Sequence, residues 1–265
     1  MPRAIRFLLM LFILFLGRQK TVSGHQGTLK PAEIQNLFAQ TRFNGLHTAA
    51  KEFYLSEEEK LVIALCNLAR YDGQAFIREV ILPSGIDTSL PEINGLLAEL
   101  RRQKSVFPLM PAFSLHKSAL VHAKDMGLSG KAGHHSSDGK PFQDRIQQFF
   151  PANTHLAENY YQGTGDPFDI VMAFLLEKGE RGKEYRRNLF SEQLHYIGIS
   201  IQPHRKTCSN AVLDFAQKPQ TAVTSMSKKR NSTEVYWRDC PTGTKVSTRR
   251  KSGGFSFSSL FGRRR

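Results

Sequence analysis

The chain has 265 residues, of which 40% are hydrophobic, so it holds enough apolar material for one sizeable domain with flanking tails. Its formal net charge of +14 is concentrated at the two ends, because residues 21–217 carry equal numbers of basic and acidic side chains. A neutral folded part excludes nucleic acid as the predicted partner.

The beginning of the chain has the form of a targeting segment. A basic start, MPRAIR, is followed by the short apolar run FLLMLFILFLG, which is too short for a typical transmembrane helix. Small residues suited to cleavage follow at Val22-Ser23-Gly24. We predict a signal peptide over 1–24, a polar leader over 25–54 and a secreted or otherwise extracytoplasmic domain over 55–217. An uncleaved N-terminal membrane anchor is the alternative.

Helices are predicted through most of the domain. Ser56 and Glu59 have the spacing of a capping box, and leucines recur behind them at helical intervals. Three later segments also have helical periodicity: SLPEINGLLAELRRQ, SLHKSALVHAKDMGLSG and DPFDIVMAFLLEKG. His122 falls on an apolar helical face in the second of these, which predicts a hydrogen-bonded histidine in the core.

Two strands are predicted late in the domain, at HYIGISI and AVLDFAQ, because both are rich in β-branched and aromatic residues. The alternation in the second strand predicts that Asp214 faces solvent. Helices followed by a small antiparallel sheet indicate the α+β class.

The composition changes beyond Gln217, where Ser, Thr, Lys and Arg dominate. We predict that residues 218–265 form a disordered basic tail, because this composition cannot support a core. The tail also has phenylalanines interleaved with Arg and Lys. This pattern suggests that the tail contacts an anionic membrane or cell-envelope surface.

The three cysteines are too few for a disulfide framework in a chain of this length. Cys66 falls in a helical apolar stripe, so it is predicted to be a buried thiol. Cys208 and Cys240 lie in loop or tail segments, where a bridge between them is one alternative.

The segment GHHSSDG, residues 133–139, combines two histidines, two hydroxyls and an acid beside a turn glycine. Taken alone, it fits a metal site, a catalytic site or a polar turn. A serine next to a histidine does not establish the geometry of an activated nucleophile. Arg145, shortly afterwards, is predicted to anchor a loop to carboxylates or carbonyls.

Seven segments in order resemble the CAP family of cysteine-rich secretory, antigen 5 and pathogenesis-related proteins, whose domain is also called SCP-like. They are NLARYDGQAF, LHKSALVHAKDM, GHHSSDGKPFQDR, LAENYY, FLLEKGERGKEYRRNLF, YIGISI and VLDFAQ. The similarity is to the extracytoplasmic bacterial-type branch. It implies an α-β-α sandwich, in which a small antiparallel sheet lies between helical layers. It also implies a central cleft with two histidines and two acids, which bind zinc or another divalent ion in several members.

Carried onto this sequence, the resemblance assigns His134, Glu158 and Glu177 to the cleft, and it places Tyr185 where the second histidine is expected. A phenol, with a pKa near ~10, must lose a proton before it binds zinc as well as an imidazole does. We therefore predict weak or absent zinc binding, with His134 as the remaining candidate metal ligand. Spacing alone does not place His135, His155 or His195 in the cleft.

The predicted function is binding of an extracellular ligand, such as a lipid, an envelope component or a protein. One alternative is a hydrolase in which Glu158 and Glu177 form an acid/base pair with pKa values pushed apart by their proximity. The other is a structural domain whose basic tail makes the surface interaction.

Overall fold

The computed structural model describes residues 28–150, 154–176 and 183–218. The predicted signal peptide over 1–24, the tail from residue 219 onward, and Glu177 and Cys240 lie outside the described residues. Within the described ranges, no helix combines the length and the apolarity needed to cross a bilayer.

Helices precede and flank the strands along the chain. The helices are α1 (Pro31–Ala39), α2 (Glu57–Tyr71), α3 (Gly73–Phe76), α4 (Pro91–Arg102), α5 (Phe113–Ser129), α6 (Phe142–Ile146), α7 (Pro167–Leu176) and α8 (Glu184–Phe190). A π-helical turn at Ile77–Ile81 follows α3, and a 3-10 turn at Asn44–Leu46 precedes α2. The strands are β1 (Met110–Pro111), β2 (Leu156–Gly163), β3 (Tyr196–Pro203) and β4 (Ser209–Ala216).

The predicted capping box at the start of α2 is confirmed. The Ser56 hydroxyl accepts a hydrogen bond from the Glu59 amide at 3.2 Å, and the Glu59 carboxylate accepts one from the Ser56 amide at 2.8 Å. These two bonds satisfy amides that the first turn of a helix leaves without partners. The leucines behind the box are buried in the main core.

The sheet has four strands in the order β1-β3-β4-β2. β4 pairs antiparallel with both β2 and β3, whereas the two-residue strand β1 pairs parallel with β3. The α+β class with a small sheet is therefore confirmed; the sheet is antiparallel except at β1, a strand that the sequence did not predict. A two-residue strand is too short to leave a hydrophobic pattern in the sequence.

Helices cover both faces of this sheet. α5 packs on one face, where Ala119, Ala123 and Met126 contact Tyr160 and Val212 of the strands. α2 and α7 lie on the other face and bury their apolar stripes in the main core. β4 is therefore covered on both sides, and each of its eight residues is buried.

The leader segment also contributes to the main core. Ile34, Leu37 and Phe38 of α1 are buried there, as is Tyr54. The packed unit thus includes residues before position 55, because α1 needs the main core to bury its apolar side.

The cysteines behave differently from one another. Cys66 is a free, fully buried thiol, as predicted, and burial raises its pKa to about 12. Cys208 takes part in a disulfide. Cys240, the partner considered from the sequence, lies outside the described residues.

Candidate functional site

The histidine turn is held in place by hydrogen bonds from its own residues and from α5. Asp125 of α5 accepts bonds from the Ser137 amide at 2.6 Å and the Ser137 hydroxyl at 2.5 Å. Gly133 and Gly139 have φ angles of 107° and 92°, in the left-handed region that favours glycine. The Ser136 amide also donates to a backbone carbonyl across the turn, that of residue 140. This scaffold fixes the backbone on both sides of His134.

His134 is the middle member of a hydrogen-bonded chain of three side chains. Its Nδ1 lies 2.8 Å from Oε1 of Glu158, and its Nε2 lies 2.8 Å from the hydroxyl of Tyr185. With Glu158 ionised and the phenol proton shared with Nε2, Nδ1–H donates to the carboxylate, Nε2 accepts from the phenol and the imidazole is neutral. The chain therefore runs from phenol to imidazole to carboxylate.

The position of β2 at the edge of the sheet lets residues from both helical layers meet. Glu158 lies in β2, and α8 is tied to the same strand through Asn159. The Asn159 amide donates to the backbone oxygen of Tyr185 at 3.0 Å, and the Asn188 amide donates to Asn159 at 2.9 Å. These bonds place the Tyr185 hydroxyl beside the histidine turn. Sequence reasoning missed this positioning role of Asn159.

Glu158 is almost fully buried, and Arg145 is its cationic partner. Nη2 of Arg145 lies 2.5 Å from Oε2 of Glu158, and the two side chains are only 3% and 1% exposed. Arg145 binds a carboxylate, as predicted, but it does so from helix α6 and not from a loop, and it joins α6 to β2. Both Glu158 oxygens are thus occupied, one by Arg145 and one by His134.

The prediction that Asp214 faces solvent is wrong. Asp214 stands opposite Glu158 in the β2–β4 ladder and is fully buried beneath α5. Neither of its oxygens makes a well-aligned hydrogen bond with the described residues, although the carboxyl interacts with Ser118 and Glu158. Strand alternation identifies a solvent face only where one side of the sheet is open, and β4 is covered on both.

Burial raises the pKa of Asp214 well above its usual range, and the neighbouring charge of Glu158 raises it further. Burial also raises the pKa of Glu158, while Arg145 opposes that shift. Two adjacent carboxyls in a dry interior cannot both ionise cheaply. The ion pair with Arg145 assigns the negative charge to Glu158, so Asp214 holds the proton at neutral pH.

We expect Asp214→Asn to change how stability depends on pH. The folded pKa of Asp214 is raised, so from about 3.8 upward the unfolded chain releases a proton that the folded chain keeps. The free energy of unfolding of the wild type, taken relative to that of Asp214→Asn, should therefore be highest and constant below about pH 3.8. It should fall by roughly 1 kcal/mol per pH unit as the pH rises towards the folded pKa. Urea denaturation from acidic to neutral pH measures this difference, with exposed Asp144→Asn as control. A difference that is constant with pH would contradict the assignment.

His122 is a core histidine, as predicted. Its Nε2 donates to the backbone oxygen of Gly133 at 2.8 Å and lies 3.9 Å from Oε1 of Glu158. Burial, together with the charge of Arg145, lowers its pKa to about 4, so the ring is neutral at physiological pH. His122 thus ties α5 to the histidine turn and adds no charge beside Glu158.

The described residues do not fit a zinc site. Among them, no group of three or more His, Cys, Asp or Glu side chains is placed to hold a metal ion. Both ring nitrogens of His134 and both oxygens of Glu158 already have protein partners. Two zinc ligands in tetrahedral geometry lie about 3.3 Å apart, so the 2.8 Å contact between Tyr185 and His134 leaves no position for the ion.

The exposed part of the site is its histidine. The His134 side chain is 19% exposed, whereas Glu158 beneath it is 1% exposed. The imidazole and the half-buried phenol of Tyr185 are therefore accessible from solvent. Glu158 can influence a molecule bound there only through its hydrogen bond to His134. The accessible groups are neutral hydrogen-bonding groups beside aromatic side chains, since the Tyr185 ring packs edge-on against Phe174.

Comparison with known proteins matches residues 95–215 to the cysteine-rich secretory protein family, CAP. A search of curated proteins found no match. Among solved structures, the chain is similar to an extracellular protein containing a SCP domain from Bacillus anthracis, with 21% identity and a TM-score of 0.35. The similarity covers 46% of this chain and 37% of that one.

Two further solved structures are similar to this chain. One is an outer surface protein from Borrelia burgdorferi, with 21% identity and a TM-score of 0.37, over 49% of this chain and 95% of that one. The other is a cysteine-rich secretory protein from Staphylococcus aureus, with 16% identity and a TM-score of 0.32, over 48% of this chain and 38% of that one. This chain thus spans well under half of the length of the Bacillus and Staphylococcus proteins.

Proposed function

Residues 95–215 belong to the CAP family, and from this premise we propose that the chain is an extracytoplasmic binding protein whose ligand docks at His134 and Tyr185. The ligand is an organic molecule recognised through hydrogen bonds, and zinc takes no part in binding it. The family membership and the targeting segment predicted over residues 1–24 support the extracytoplasmic location.

The observation that carries this proposal is the hydrogen-bonded chain through His134. A zinc-binding imidazole must present a free nitrogen lone pair, whereas Nε2 of His134 accepts from Tyr185. Glu158 fixes the other nitrogen and is itself held by Arg145. In this arrangement the phenol oxygen of Tyr185 is the acceptor offered to a ligand, so the pair suits a ligand with hydroxyl or amide N–H donors.

A hydrolytic enzyme is the second candidate, and the order of the same three side chains favours it. A hydroxyl, an imidazole and a buried carboxylate in sequence have the arrangement of a nucleophile, a base and an orienting acid. In this alternative Tyr185 is the nucleophile and Glu158 orients His134. The predicted pairing of Glu158 with Glu177 is a different mechanism, and Glu177 lies outside the described residues.

Ligand-observed NMR with the full chain tests the proposal, using fatty acids and soluble cell-envelope glycan fragments as probes. We expect at least one probe to bind and His134→Ala to weaken it about tenfold or more, because the central member of the chain is lost. His155→Ala is the matched control, since His155 is exposed and takes no part in the site.

The same samples separate binding from catalysis. An intact probe after prolonged incubation supports the binding function. Conversion of the probe that disappears in Tyr185→Phe would establish the enzymatic alternative. Equal probe binding by wild type and His134→Ala would contradict a binding site at this position.

A further inference from the structure

The outer face of α5 carries a second candidate surface, independent of the His134 site. The inner face of this helix packs on the sheet, and its exposed residues are Lys117, Val121, Lys124 and Leu128. Spacings of three and four residues place all of them on one side of the helix. A cation therefore alternates with an apolar side chain along this stripe.

The two apolar members of the stripe are unusually accessible. Leu128 is 79% exposed and Val121 is 48% exposed. A single exposed leucine is ordinary on a protein surface. Two apolar side chains at a seven-residue interval, with cations beside them, form a surface that suits a partner with negative charge at its surface and an apolar layer beneath it.

Three more cations surround Leu128 at the end of α5. Lys131 follows the helix, and the turn between β3 and β4 brings Arg205 and Lys206 beside it. The Arg205 amide donates to the Gly127 oxygen at 3.1 Å, and its guanidinium donates to the Leu128 oxygen at 3.4 Å. The Arg205 and Lys206 side chains lie over Gly130, where a Cβ atom would be 2.8 Å from Cγ of Arg205 and 3.2 Å from Cε of Lys206.

No acid neutralises this surface within residues 28–150, 154–176 and 183–218. Across those ranges, ion pairs involve none of its five cations, Lys117, Lys124, Lys131, Arg205 and Lys206. Asp125, on the same helix, has both oxygens bonded to Ser137. Compensation of the helix dipole explains cations near the last turn. It does not explain Lys117 and Lys124, which lie before that turn.

We propose that this surface, the α5 basic–apolar face, docks the domain on an anionic phospholipid bilayer. The cations contact lipid phosphates, while Val121 and Leu128 reach the boundary with the acyl chains. An anionic glycan would satisfy the cations but would leave the two apolar side chains without a counterpart. The bilayer is therefore the occupant that the observations favour.

Co-sedimentation of the full chain with vesicles tests the proposal, using an equal mixture of phosphatidylglycerol and phosphatidylcholine and, separately, phosphatidylcholine alone. We expect binding to the anionic vesicles that weakens in high salt. The double variant Lys117→Gln/Lys124→Gln should bind about twenty-five-fold more weakly, at about five-fold per cation. Leu128→Ser should bind about five-fold more weakly, since the apolar contribution is lost.

The matched control is Lys51→Gln/Lys104→Gln, which removes the same charge from two exposed positions outside α5. Equal losses in the two double variants would show that net charge alone drives binding, and they would overturn the proposal. Unchanged vesicle binding by Leu128→Ser would also overturn it, in favour of a surface for a soluble polyanion. Vesicle binding by His134→Ala should match wild type, which separates this surface from the ligand site.

Discussion

Replacing Arg145 with methionine is expected to destabilise the domain by about 3–5 kcal/mol near neutral pH, the usual cost of leaving a buried charge without its partner. Arg145 and Glu158 are both almost fully buried, and Asp214 lies against the same carboxylate. Without the guanidinium, Glu158 must either remain charged in a dry interior or take up a proton. Both outcomes raise the free energy of the folded state at neutral pH.

Chemical denaturation measures this cost, with Arg187→Met as the control. Arg187 is an exposed arginine of α8, so its replacement should change the free energy of unfolding by no more than about 0.5 kcal/mol. The double variant Arg145→Met/Glu158→Gln should recover part of the loss, because it removes the unpaired charge together with its partner. A loss for Arg145→Met no larger than the control would mean that the ion pair does not hold α6 to β2.

The fold could be predicted largely because its signals are local. Ser56 and Glu59 carry their own capping geometry, and the leucines of α2 repeat at helical spacing whatever they pack against. Strand β2 was not predicted, because LAENYY places Glu158 and Asn159 among its apolar residues. Its place in the sheet comes from the ladder with β4, and pairing between distant segments leaves no local pattern.

The candidate site is the opposite case, because its members come from separate elements. The resemblance to the CAP family identified His134, Glu158 and Tyr185 as site residues. The structure joins these three side chains in one hydrogen-bonded chain. Nothing in the local sequence distinguishes Asn159 as the residue that ties α8 to β2. The burial of Asp214 did leave a signal, since an acid within the continuous apolar run AVLDFA is typical of a strand covered on both faces.

The contact between Tyr185 and His134 shows why one substitution can change the chemistry of the whole site. The Tyr185 hydroxyl lies 2.8 Å from Nε2 of His134, so the hydroxyl fills the position where a metal would bind this nitrogen. The hydroxyl itself is a poor ligand at neutral pH because it is protonated. Tyr185 and His134 thus favour a hydrogen bond to each other over the coordination of a metal ion.

Tyr185→His is accordingly expected to bind zinc at least about tenfold more tightly than wild type at neutral pH, because a second neutral imidazole replaces the phenol and the shorter side chain leaves room for the ion. Isothermal titration with zinc measures both affinities. Tyr71→His, at an exposed tyrosine remote in sequence from the site, controls for the added histidine. Tyr185→Phe separates the release of Nε2 from the gain of a ligand. Equal affinity in wild type and Tyr185→His, or a gain that survives His134→Ala, would show that the tyrosine is not what keeps zinc from this site.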